Sequence, residues 1–147
     1  MTKDNAAQLS RLGDIATIEE QEAAQAFAGC LQKHAQHCRQ IEELKRYRHD
    51  YAKRLSGERG MALSAGEAHQ LAAFIANLDS LLGTMAAQEK HLQHELQISE
   101  QAWRALKGKV KGFEKLAAKR RHKARQQNEQ RKNNQLDDAW LARHLTT

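Results

Sequence analysis

Cys30, His34, His37 and Cys38 form the densest group of side chains in this chain that could ligate a metal or act as nucleophiles. On a helix, Cys30–His34 and His34–Cys38 are i,i+4 pairs, a spacing at which two donors can grip one ion. One straight helix does not converge four ligands, and the sequence offers no complementary cluster elsewhere. These residues are therefore expected to be ordinary helix side chains with no metal bound, and His91 and His94 read the same way. The two cysteines would lie roughly 12 Å apart on a helix, too far for a local disulfide. They fit a reducing compartment and the role of small apolar residues. A phosphate-cradling glycine loop, Gly-x-Ser-x-Gly and His-Glu-x-x-His are all missing from the sequence. Neither enzyme activity nor a cofactor is expected.

Charge offers a second kind of chemistry. The chain of 147 residues carries a net +6, and the excess is local. Residues 104–132 hold twelve Lys or Arg against Glu114 and Glu129, whereas residues 1–103 hold eleven basic and fourteen acidic side chains. Such a segment can be a solvated helix face, an electrostatically steered dock for an acidic protein surface, or a track along phosphates. Apart from Phe113 there is no aromatic between Lys107 and Lys132 on which a base would stack. Nucleic acid is accordingly the disfavoured partner, and a salt-resolved DNA titration would test it.

The elements that carry these residues follow from composition and period. Apolar residues make up 40% of the chain and aromatics 5%, with no proline. That is too little large apolar surface for a thick core, and it favours long helices. No run approaches the roughly 18 apolar residues that span a bilayer, and the first 30 residues lack a signal-peptide pattern, so the cytoplasm is expected. Gly57, Gly60 and Gly66 break helical character once, and Ser64 with Glu67 has the spacing of a capping box. The reading is a single all-α domain: a long antiparallel two-helix coiled-coil hairpin with unequal arms. Helix 1 is placed at about 5–56, the turn at 57–64 and helix 2 at 65–143.

On helix 2, Leu71, Ile75, Leu78, Leu82, Met85, Leu92, Leu96, Trp103, Leu106, Val110, Phe113 and Ala117 keep a strict 4-3 alternation, interrupted only by Glu89 and Ser99. A period of 3.5 held this long implies a left-handed supercoil about a partner helix. On helix 1 a weaker seam runs through Phe27, Leu31, His34, Cys38, Ile41, Lys45, Arg48, Ala52 and Leu55. Leu9, Leu12, Ala16, Ala23 and Ala26 form an alanine-rich seam in a shifted register. With roughly 1.5 Å per residue, helix 2 should project about 20–25 residues beyond the start of helix 1. The basic segment is expected on that overhang.

The seams leave a surplus. Gln40, Leu44, Tyr47 and Tyr51 on helix 1, and Phe74, Leu78, Leu81 and Met85 on helix 2, each follow a 4-3-4 spacing near the turn. They read either as a locally broadened seam or as an exposed apolar patch for a partner protein.

Taken together these features resemble the FliJ family of the flagellar type III export apparatus. The resemblance rests on Leu-Lys-Arg-Tyr-Arg-His-Asp-Tyr (44–51) before the bend and Gly-Met-Ala-Leu-Ser-Ala-Gly-Glu (60–67) across it. Phe-Ile-Ala-Asn-Leu-Asp (74–79) after it, and Trp103-Arg104 leading into a lysine-rich stretch, complete it. The resemblance implies an antiparallel coiled coil similar to the rotor stalk of the rotary ATP synthase. It would engage the ring of the flagellar export ATPase and the cytoplasmic domain of the membrane export gate, and act as an escort for export chaperones. It implies a location in the cytoplasm at the inner-membrane face of the flagellar base. The family's gate-binding face matches Gln40, Leu44, Tyr47, Tyr51, Phe74, Leu78, Leu81 and Met85, the eight surplus residues. By the same analogy the open end contacts the ATPase, with Arg104, Lys107, Lys111, Lys115, Lys119, Arg120 and Lys123 as candidates. The equivalent stalk of a virulence-type injection system is the near alternative, and a basic nucleic-acid-binding coiled coil the distant one.

Overall fold

Thin apolar stripes with few bulky aromatics cannot build layers, and the chain resolves into helix on helix. The computed structural model describes residues 2–57 and 62–145. Two α-helices, α1 (Thr2–Leu55) and α2 (Ala65–Leu145), pack against each other, with no strand among the described residues. Both outer ends run a few residues beyond the sequence-based limits. The expected turn falls partly on residues 58–61, which lie outside the described residues.

Local chemistry ends and restarts the helices. Gly57 takes φ +74°, the left-handed conformation that glycine adopts most readily. The Gly57 amide donates to the Arg54 carbonyl at 3.2 Å, and Ser56 Oγ donates to the Lys53 carbonyl at 2.9 Å. Carbonyls at the end of α1 are thereby satisfied. Ser64 Oγ accepts from the Glu67 amide at 3.1 Å, the N-cap bond expected from the spacing.

The chain forms two compact units. One comprises Met1–Gln21 with Arg104–Thr147, the other Glu22–Trp103. In the second unit, Leu71, Ile75, Leu78, Leu82, Met85, Glu89, Leu92, Leu96, Ser99 and Trp103 of α2 are all buried or half-buried. In the first, Leu106, Val110, Phe113 and Ala117 continue the same 4-3 phase. Glu89 and Ser99 are members of the seam and do not interrupt it. Ser99 Oγ donates to the Leu96 carbonyl of its own helix at 2.9 Å, which lets a hydroxyl sit there.

The α1 seam differs from the sequence reading by one residue at alternate steps. In the second unit its buried and half-buried positions in this phase are Ala23, Phe27, Cys30, His34, His37, Ile41, Leu44, Arg48 and Tyr51, and Cys38 and Ala52, expected inside, are half-buried beside them. Leu9, Gly13, Ala16 and Glu20 keep the same phase in the first. Leu31, Lys45 and Leu55, expected inside, are exposed; so are Leu12 and Ala26. The ambiguity arises at Phe27, which is followed by an apolar residue at both three and four positions. The true phase runs through polar His37, which an apolar count passes over. Partners make it possible. His37 Nε2–H donates to the Met85 carbonyl at 2.8 Å, Arg48 pairs with Asp79, and Phe27 stacks on Trp103 at 5.6 Å between centroids.

The resulting core is thin. The chain exposes 12000 Å², against roughly 7,600 Å² for a compact protein of this mass. Ala16, Ile41, Leu78 and Met85 are the buried hydrophobic residues among those described.

Candidate docking surfaces

The eight surplus residues near the turn divide into two sets. Leu44, Tyr51, Leu78 and Met85 belong to the seam between the helices. Leu78 and Met85 are only 7% and 8% exposed, so they are core residues of the second unit. Gln40, Tyr47, Phe74 and Leu81 lie on one flank of that seam and face solvent. Tyr47, Phe74 and Leu81 are 53%, 44% and 46% exposed. The patch is therefore a broadened seam with an apolar shoulder, combining the two readings left open by the sequence.

That shoulder is ordered by its neighbours. Tyr51 meets Phe74 edge-on at 4.9 Å between centroids, and the Arg54 guanidinium stands over the Tyr51 ring at 5.4 Å. Tyr51, Arg54, Leu63, Glu67, Gln70, Leu71 and Phe74 line an open groove beside it. On the other flank of the seam, Arg48 forms a two-pronged ion pair with Asp79, whose second arm measures 3.2 Å. The Arg48 hydrogen bond and its charge hold the Asp79 carboxyl below the usual carboxylate range.

In the first unit Arg104, Lys107, Lys111, Lys115, Lys119, Arg120 and Lys123 are all exposed. The sequence reading placed the whole basic segment on an overhang. Instead its first half lies alongside α1, because Leu106, Val110, Phe113 and Ala117 are half-buried between the basic positions. Phe113 Cβ would lie 3.7 Å from a Cβ added at Gly13, so the helices approach closely there. Asn5 and Ala6 still line a groove with Arg120, Arg121 and Lys123. From 118 to 145 every residue of α2 is exposed.

The sequence reading missed two exposed apolar pairs in this unit, Leu136 with Trp140 and Leu141 with Leu145, on the last turns of α2. His144 stacks on Trp140 at 4.2 Å and its Nδ1–H donates to the Trp140 carbonyl at 3.0 Å. The i,i+4 spacing of Leu136–Trp140 and Leu141–Leu145 was the available signal. It lies beyond Ala117, where the seam ends.

In the histidine–cysteine group, Glu89 of α2 faces His34 and Cys38 across the seam of the second unit, a neighbour that a single-helix reading does not supply. Partial burial pushes the Cys38 thiol up, and the nearby Glu89 adds to the effect. His91 pairs with Glu95 at 3.1 Å on the exposed surface of α2.

Two long helices joined by a seam of heptad residues, with open grooves and charged or apolar shoulders, define a two-helix antiparallel coiled-coil protein. The family model for the flagellar FliJ protein matches residues 5–146 of the 147-residue chain, and the chain belongs to that family. Membership makes it a component of the flagellar export apparatus, in flagellum biogenesis and protein export; the family is one of structural and escort proteins, not known as enzymes. No curated protein and no solved structure matches the chain. Among the described residues, no helix is long and apolar enough to cross a membrane.

Proposed function

We propose that this chain links the flagellar export ATPase to the cytoplasmic domain of the export gate and escorts export chaperones, working by binding alone. The observation that carries the reading is the exposed shoulder of Tyr47, Phe74 and Leu81 beside a well-packed seam. A tyrosine, a phenylalanine and a leucine held on rigid helices bind a protein partner at low entropic cost. These three, with Gln40, match part of the face that the family uses for the gate. The four seam residues of that face support the shoulder from below.

The ATPase contact is assigned to the first unit. Its exposed basic residues, including Lys119, Arg120 and Lys123, give electrostatic steering toward an acidic partner. The Leu136–Trp140 pair adds an apolar anchor on the same helix. Peripheral placement at the inner membrane follows from gate binding in this reading.

Capture of the gate's purified cytoplasmic domain tests the first contact. Tyr47→Ala with Leu81→Ala should reduce capture by at least tenfold with helicity unchanged. Both positions lie outside the seam, so the pair separates docking from folding, which a Tyr51 substitution would not. Undiminished capture would remove the shoulder from the gate-binding face.

A further inference from the structure

Glu89 occupies a seam position where the 4-3 pattern asks for an apolar side chain. A carboxylate there costs solvation unless something compensates it. Its neighbours on α1 are His34, also at a seam position, and Cys38 one turn later. Cys38 Sγ lies 3.7 Å from His34 Nε2 and 3.7 Å from Glu89 Oε1, and His34 Nε2 lies 3.8 Å from Glu89 Oε1. At 3.8 Å the imidazole and carboxylate are beyond hydrogen-bonding range, and the thiol contacts are at the long end even for sulfur. The thiol donates one long hydrogen bond to Glu89, and the three ligand atoms are spaced almost evenly around a common point.

The size of that triangle identifies what suits it. Around tetrahedral zinc, bonds of about 2.3 Å to sulfur and 2.0–2.1 Å to nitrogen and oxygen put donors roughly 3.4–3.6 Å apart. The separations here are slightly wider, so a tetrahedral ion above the triangle would lie roughly 2.3 Å from each atom, and the nitrogen and oxygen need close in by only about 0.2 Å. One sulfur, one imidazole and one carboxylate select a borderline-soft ion over calcium or magnesium, which prefer all-oxygen sites. The half-exposed setting leaves the fourth position to water.

We propose that His34, Cys38 and Glu89 bind a divalent cation of the zinc class that clamps α1 to α2 in the second unit. Two ligands come from α1 at i,i+4 and the third from α2, so the site is complete only when the helices are paired. The bound ion therefore stabilises the packed state by mass action and fixes the phase of the polar stretch of the seam.

Cobalt(II), a spectroscopic probe for such sites, tests the assignment on the full-length chain without an affinity tag under reducing conditions. One equivalent should give thiolate-to-cobalt charge transfer and tetrahedral d–d bands, both displaced by zinc. Cys38→Ser should abolish the charge transfer, while Cys30→Ser leaves it intact. Glu89→Gln should weaken binding at least tenfold, as loss of even an outer-shell partner commonly costs 10–100-fold. Zinc should also raise the thermal midpoint of the wild type and not that of Glu89→Gln. Absence of the cobalt spectrum, equal loss in Cys30→Ser and Cys38→Ser, or an unchanged zinc shift in Glu89→Gln would each overturn the proposal.

Discussion

Arg48 and Asp79 show how a polar residue comes to hold a seam position. Arg48 is half-buried on α1, and its guanidinium reaches across to the Asp79 carboxylate. Because the folded Asp79 pKa is lowered, the pair contributes stability above the unfolded carboxylate value, near pH 4. That contribution is lost as pH falls through the lower folded value. Asp79→Asn should therefore flatten the acid limb of a urea-stability profile and lower stability modestly at neutral pH. An unchanged acid slope would remove the pair from the pH dependence. Gly13 makes a second prediction. A methyl group there would lie at ordinary contact distance from Phe113, so Gly13→Ala should stabilise by about 0.5–1 kcal/mol through helix propensity. A loss in chemical denaturation would show that the first unit packs more tightly than this.

At the scale of elements, α2 was legible and α1 only in part. Every apolar seam position from Leu71 to Ala117 was given by the 4-3 rule, and only Glu89 and Ser99, read as interruptions, prove to belong to the seam. On α1 the seam includes His34, His37 and Arg48, whose suitability depends on partners contributed by α2. No single-helix count could supply those partners, and the phase slipped by one residue at alternate steps. The same slip made Leu44 and Tyr51 look surplus to the seam. The difference between seam and shoulder has a measurable consequence. Leu78→Ala should cost roughly 2–3 kcal/mol in urea denaturation, whereas exposed Leu81→Ala should cost less than about 1 kcal/mol. Similar losses at both positions would contradict the division. Ser64→Ala should cost about 1 kcal/mol by removing the N-cap of α2.

For the molecule as a whole, the all-α class, the two helices and the family were legible because length, period and the order of motifs all point one way. The candidate surfaces were legible as sets of residues but not as surfaces. Exposure within a set depends on one residue of phase, and the apolar residues around Trp140 lie outside the periodic stretch altogether. In the proposed function each compact unit carries one docking surface, an apolar shoulder on one and a basic helix on the other. The most direct test measures two variants against two partners. Tyr47→Ala/Leu81→Ala should lose the export-gate domain by at least tenfold and keep ATPase binding. Lys119→Glu/Arg120→Glu/Lys123→Glu should lose ATPase binding and keep the gate domain. If either variant loses both partners equally while its helicity is intact, the two surfaces do not act separately and the central claim fails.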